Sequence, residues 1–234
     1  MSGTDTDLKA RPWQPEPTMP VRAQIYEELR MRIIRGEILP GTALSEADLA
    51  RRFAASRQPV REAFIKLVED GLLEVRPQRG TFVRKISKNA VIDARFVREA
   101  IEAKIVRELA HKHDQKLCLQ LRILLSAQKA VPIDKPDSFM KLDEEFHWTL
   151  ANGAGRLYGW KVIEGLKVQM DRVRYLALEN FPQETLVQQH AAITDAIESG
   201  LPDRAESEMQ KHLHLVLDDL PNIEMAYPDF FTPD

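Results

Sequence analysis

Residues 45–61, SEADLARRFAASRQPVR, constrain the fold more tightly than any other stretch of this chain. Ser45 and Asp48 form a looser capping box, with Asp where Glu or Gln is usual, which predicts a helix beginning at Glu46 and running through Leu49, Ala50 and Phe53. Ser56 is placed to cap a second helix, whose first turn tolerates Pro59 because the N–H groups there lack intrahelical partners. Two short helices on a tight connection, the first apolar and the second basic, read as a helix-turn-helix. Arg57, Gln58 and Arg61 fall on the outward end of the second helix. Arg can donate two parallel bonds to guanine O6 and N7, and Gln can do the same for adenine, so the set suits a helix tip in a major groove. A solvated helical hairpin is the competing reading of these residues taken alone.

The flanks favour the first reading. Upstream, Ile25, Leu29, Ile33 and Ile34 predict a helix stopped at Gly36, and Leu39-Pro40-Gly41 makes a turn. Downstream, Phe64, Leu67 and Val68 continue the apolar face of the second helix until Gly71 ends it. Residues 72–75 and 81–83 predict two strands around the turn Pro77-Gln78-Arg79-Gly80. Three helices and a hairpin make a winged helix-turn-helix, with Arg76, Arg79, Arg84 and Lys85 on the wing facing phosphates or a minor groove. The chain's net charge of −3 hides an asymmetry that fits this picture. Residues 21–86 hold 13 Lys and Arg against 9 Asp and Glu, a net +4, leaving −7 for the remainder. A basic module carried on an acidic one is the footprint of a DNA-reading head.

Beyond Lys88 the apolar period is helical throughout. Val97, Ile101, Ile105 and Leu109 mark one helix ending near His111; Leu117, Leu121, Leu124 and Leu125 a second; Phe139, Phe146 and Leu150 a third. One long helix is predicted over 157–178 on Val162, Leu166, Met170 and Val173, with Pro182 breaking the chain. Leu186, Ile193 and Ile197 mark the next, and Ala205, Met209, Val216 and Leu220 the last. The expected fold is therefore mainly α: a winged helix-turn-helix domain over 21–86, then an antiparallel all-α bundle of six or seven helices over 87–220. Residues 1–20, with four prolines, read as a disordered or loosely docked arm, and 221–234 as a tail. No apolar run approaches the roughly 18 residues a membrane span needs, and the N-terminus lacks a signal-peptide core, so a cytoplasmic location is expected. Cys118 is the single cysteine and sits among leucines, which leaves no disulfide and suggests a core position.

Four polar residues of the bundle stand where apolar ones are expected. Asp143 and His147, four apart, share a face with Phe139 and Leu150; His190 lies in line with Ile193 and Ile197; His212 lies between Met209 and Val216. His111 and His113 fall at a helix end, where a cation is favourable, and His214 on a wet face. A single inward histidine is more often a satisfied core residue, but an Asp and three His converging from three helices suit a divalent transition metal such as Zn, Ni, Fe or Mn. Such a site admits three roles: input to a DNA-binding regulator, a metal-dependent hydrolase or lyase, or a structural centre. The enzyme reading lacks a base beside the ligands, since Glu144 and Glu145 are the only adjacent carboxylates and Glu144 faces off the stripe.

Residues 21–86 resemble the DNA-binding domain of GntR-type transcriptional regulators. The resemblance rests on Leu39-Pro40-Gly41, Leu44-Ser45-Glu46, Leu49-Ala50, Ser56-Arg57-x-Pro59-Val60-Arg61-Glu62-Ala63, Asp70-Gly71-Leu72 and Arg79-Gly80-Thr81-x-Val83. It implies that Arg57 and Arg61 approach bases, that Ser56 and Gln58 contact DNA at the same step, and that Gly80, beside Arg79, enters the minor groove. Ala54-Ala55 departs from the usual Gly-Val. Asp143-x-x-Phe146-His147, His190-x-x-Ile193-x-x-Ala196-Ile197-x-x-Gly200 and Ala205-x-x-x-Met209-x-x-His212-Leu213 resemble the FCD subgroup of that family. This implies a metal on Asp143, His147, His190 and His212 beside a cavity for a small, usually carboxylate-bearing effector. Arg98, Arg172 and Arg174 resemble recurrent basic residues that would meet it, and Arg156 departs from a common Asn. The chain is thus expected to be a non-enzymatic repressor that binds an inverted-repeat operator in double-stranded DNA as a homodimer, under effector control and with no membrane association.

Overall fold

A computed structural model describes Glu16 and residues 18–178 and 183–233. Helix α1 (Val21–Ile34) turns its Ile25, Leu29 and Ile33 inward, as the spacing by fours predicts. Strand β1 (Ala43–Leu44) leads into α2 (Glu46–Arg52), where Ser45 Oγ accepts the Asp48 amide at 3.3 Å. Helix α3 (Arg57–Glu69) follows with Ser56 at its N-cap, although the Ser56 side chain makes no capping bond. Strands β2 (Leu73–Arg76) and β3 (Gly80–Val83) form the wing, Arg76 opposite Gly80 and Leu73 opposite Val83. Strand β1 adds a third member that the hydropathy pattern does not disclose, pairing antiparallel with β3 in the order β1-β3-β2. Two residues are too few to show alternation.

Among the described residues, seven helices make the second part: α4 (Lys88–Lys112), α5 (Gln115–Ala130), α6 (Pro136–Ala154), α7 (Leu157–Leu166), α8 (Val168–Leu178), α9 (Gln183–Glu198) and α10 (Pro202–Ala226). No helix of the described residues is long and apolar enough to cross a membrane. The core joins Leu109, Leu121, Phe139, Phe146, Ile193 and Met209.

Three expectations change. The helix expected over 157–178 is two helices, broken at Lys167, where ψ is −8°. Its Nζ is buried against Asp171 at 2.7 Å and Glu144 at 3.2 Å, and Val162 and Leu166 of the expected stripe are largely exposed while Trp160 and Ile163 turn inward. On α4 the buried stripe runs through Val91, Ala94, Arg98, Glu102, Ile105 and Leu109, so Val97 and Ile101 sit at its margin. Residues 221–233 are no free tail: α10 continues through Pro221 to Ala226, a 3-10 turn spans Pro228–Phe230, and Phe231 is buried. Of the N-terminal arm, 1–15 and 17 lie outside the described residues. Glu16 and Met19 are held by Gln24, whose Oε1 accepts the Glu16 amide at 2.7 Å and whose Nε2 donates to the Met19 carbonyl at 2.6 Å.

The two parts are packed together through α8. Val168 joins the core of the winged domain, Gln169 Nε2 donates to the Gly71 carbonyl at 2.7 Å, and Asp171 faces Arg30 of α1 at 3.5 Å.

Candidate functional site

Helix α6 supplies Asp143 and His147 one turn apart, α9 supplies His190 and α10 His212; all four are buried, and one ligand atom from each lies within 4.8 Å of the others. His212 Nε2 is 3.2 Å from His147 Nε2 and 3.3 Å from His190 Nε2. Asp143 Oδ1 lies 3.6 Å from His190 Nε2 and has no hydrogen-bond partner.

The outer ring nitrogens decide what those inner ones can be. His147 Nδ1 is 2.5 Å from Glu102 Oε2, His190 Nδ1 is 2.9 Å from Gln128 Oε1, and His212 Nδ1 is 3.0 Å from Gln189 Oε1. An ionised carboxylate and an amide oxygen can only accept, so with the Gln128 and Gln189 oxygens in these positions each Nδ1 carries the proton. The Gln128 amide cannot be reversed without loss, because its Nε2 donates to the Leu142 carbonyl at 3.1 Å. Three Nε2 lone pairs therefore point at one another, with a bare carboxylate oxygen beside them. Such a cluster of acceptors is repulsive on its own and fits a cation at its centre.

Electrostatics keep the donors in the state a metal needs. Burial pushes Asp143 upward, but Arg174, whose Nη2 lies 2.5 Å from Asp143 Oδ2, outweighs it and holds the carboxyl well below its usual range. Burial lowers His190 to about 3, against the pull of Asp143. His212 is lowered by burial and by its neighbours His190 and His147. Glu102 is raised by burial and lowered more strongly by Arg98 and His147, ending at about 2.

A cavity of about 50 Å³ opens beside His212, lined by Arg98 and Arg174 and by apolar side chains including Met140, Met170, Leu213, Val216 and Ile223. Arg98 reaches it already paired, its Nε 2.5 Å from Glu102 Oε1. Arg172, expected with them, lies elsewhere: it is buried beneath the link between the two parts, with Nη1 donating to the Arg84 carbonyl at 2.8 Å. Positions 172 and 174 are about 200° apart around a helix axis, so they cannot serve one pocket. Glu102, Gln128 and Gln189 are the residues that sequence reasoning missed. Only Glu102 left a signal, a carboxylate four residues after Arg98 and on the same face.

On the winged domain, Ser56, Arg57, Gln58, Arg61, Arg79 and Gly80 are all exposed. Gln58 Nε2 donates to Glu62 Oε1 at 3.0 Å. Arg57, Arg61 and Arg79 make no side-chain hydrogen bond or ion pair among the described residues, leaving their forks open. The wing tip holds Gln78 at φ 60° and Gly80 at φ 105°. Arg76 instead pairs with Glu74 at 2.6 Å and lies over the Phe82 ring, 4.4 Å from its centroid.

A winged helix-turn-helix with open arginines, packed on a helical bundle with a buried acceptor cluster and a cavity, defines a one-chain transcription regulator. Residues 21–83 match the bacterial regulatory proteins of the gntR family and residues 93–215 match the FCD domain. The chain is 41% identical over 223 residues to the HTH-type transcriptional repressor RspR of Escherichia coli strain K12, covering 94% of this chain and 98% of that one. It is 28% identical over 194 residues to a probable D-xylose utilization operon transcriptional repressor of Paenarthrobacter nicotinovorans, covering 82% and 85% of the two chains. Among solved structures, E. coli McbR/YncC superposes with a TM-score of 0.71 at 19% identity, over 89% of this chain and 99% of that one, a likeness of fold. This chain belongs to the GntR family of transcriptional regulators, in its FCD branch.

Proposed function

We propose that this regulator is a repressor whose operator binding is controlled from a metal-centred pocket in the bundle. The observation that carries this reading is the convergence of three Nε2 lone pairs and Asp143 Oδ1 beside a cavity lined by two arginines. Asp143, His147, His190 and His212 would hold a divalent transition metal, with Glu102, Gln128 and Gln189 keeping the protons on Nδ1. The bound metal would act as a Lewis acid for a small carboxylate-bearing effector, which Arg98 and Arg174 would flank. Ser56, Arg57, Gln58 and Arg61 would read bases in the major groove, and Arg79 and Gly80 would enter the minor groove. A homodimer would present two such heads to an inverted repeat, and the effector would shift their relative placement. Repression is supported by the E. coli relative, a transcriptional repressor, and the P. nicotinovorans relative, a probable one.

The hydrolase or lyase reading finds no observation in its favour. Glu144 pairs with Lys167 at 3.2 Å and Glu145 is exposed, so neither stands as a base at the centre.

Elemental analysis of protein purified with added Zn or Ni tests the site directly. About one metal per chain is expected, with a fall in thermal midpoint on chelation, and His190→Ala should bind none. A folded wild-type chain that takes up no metal overturns the reading.

A further inference from the structure

Helix α10 outruns the matched FCD span, which ends at residue 215, and the segment after it returns to the winged domain. The Ile86 amide donates to the Phe230 carbonyl at 2.8 Å, and the Thr232 amide donates to the Ile86 carbonyl at 2.9 Å, a parallel bridge between Ile86 and Phe231. Ile86 stands in the short link between β3 and α4, the chain's single covalent connection between the two parts. On the other side of that link Arg172 of α8 holds the Arg84 carbonyl. The link is thus clamped by the bundle from one side and by the C-terminal segment from the other.

The same segment touches both parts. Phe231 is buried with Ile86, with Val91 and Ala94 of α4, and with Met170 and Val173 of α8. Phe230 lies against Gly36 at the end of α1, so close that a Cβ there would sit 3.2 Å from Cε1 of the ring. Gly36 has φ +72°, and its missing side chain is what lets the segment approach the winged domain. Lys88 at the start of α4 pairs with Glu224 at 3.0 Å.

We propose that residues 220–232 are a strap that sets the angle of the DNA-reading head on the bundle and reports the state of the effector cavity to it. The first half stands on the contacts above. The second rests on the reading of that cavity as the effector pocket: Met170 and Ile223 line the cavity and also belong to the cluster that seats Phe231. An occupant that displaces either side chain is felt at Phe231, and through its backbone bridge at Ile86. Tightly packed side chains transmit such shifts because they have no slack to absorb them.

Limited trypsin digestion of the full chain reads the strap without any ligand, at the bonds following Arg84 and Lys85. Removal of residues 228–234 should raise the cleavage rate there at least tenfold. Thr232→Pro, which deletes one donor to Ile86 and leaves Phe231 in place, should raise it several-fold while helix content and thermal midpoint stay near wild type. Unchanged cleavage in both variants overturns the strap. In a second arm, operator affinity is measured with and without added Zn. If the strap reports the pocket, the Zn-dependent change seen in wild type shrinks in both variants. Faster cleavage with an undiminished Zn response overturns the reporting role and leaves the clamp. Absence of any Zn response in wild type, with cleavage faster in the variants, counts against the metal pocket and with it the reporting half of the proposal.

Discussion

Ala54, in the turn between α2 and α3, has φ 47°, a left-handed backbone that side chains with a Cβ resist. It occupies the first of the two positions where residues 21–86 depart from their resemblance to the family, Ala-Ala for Gly-Val. Ala54→Gly removes the steric cost and adds unfolded-state entropy, so a net gain of a few tenths to about 1 kcal/mol is expected by urea denaturation. A loss of stability would show that the turn is not strained. Legibility at this scale was uneven. Asp143, His147, His190 and His212 could be read because each interrupts an apolar stripe with a polar group. Glu102 could not, because Val97 and Ile101 drew the middle of the predicted α4 stripe one position off the true one, which it rejoins at Ile105. Gln128 and Gln189 carried no signal, since a glutamine on a helix is ordinary until its oxygen is seen facing an imidazole. Arg172 was misplaced with Arg174 because a basic pair in sequence says nothing of the opposed directions that helix geometry gives its members.

Among the elements, α2, α3 and the wing were legible nearly to the residue. Caps, Gly71 and the turn at Pro77 mark their ends locally, and such signals survive without tertiary context. Helices α7 and α8 were not separable. The break at Lys167 depends on a buried ion pair with Asp171 and Glu144, and Glu144 comes from another helix. The C-terminal segment was missed for a related reason: its fixation depends on Ile86 and Gly36, far away in sequence. Helix α3 carries its own prediction. Arg57→Ala and Arg61→Ala should each cost about 1–3 kcal/mol of discrimination between operator and a base-substituted duplex. Equal losses on both duplexes would assign the affected arginine to phosphates instead.

At the scale of the whole molecule, the buried histidines tie stability to pH. His190 in the folded chain titrates near 3, and in the unfolded chain near the ordinary 6.5. Between those values the unfolded state binds the proton that the folded state refuses, so stability falls as pH drops below about 6.5. His212 shifts in the same direction. Well below 6.5, proton uptake on unfolding should cost the metal-free protein roughly 1 kcal/mol per pH unit through His190, with His212 adding in the same direction. Glu102, lowered to about 2, adds a further loss as pH falls below 4.5. Urea denaturation of chelated protein from pH 7.5 to 5 checks this, and a flat profile would mean that the histidines are not held neutral. The division into a basic head and an acidic bundle was legible from charge and period. Their docking through α8 was not, because Val168, Gln169 and Asp171 look like an ordinary amphipathic turn until the head stands against them. The central claim is that the acceptor cluster in the bundle governs the DNA-reading helix tip at Arg57 and Arg61, more than 80 residues away in sequence. Fluorescence anisotropy of a labelled operator duplex, titrated with Zn-loaded and with chelated protein, tests it. At least a tenfold difference in Kd is predicted for wild type and none for His190→Ala, whereas a wild-type Kd indifferent to the metal would contradict the account.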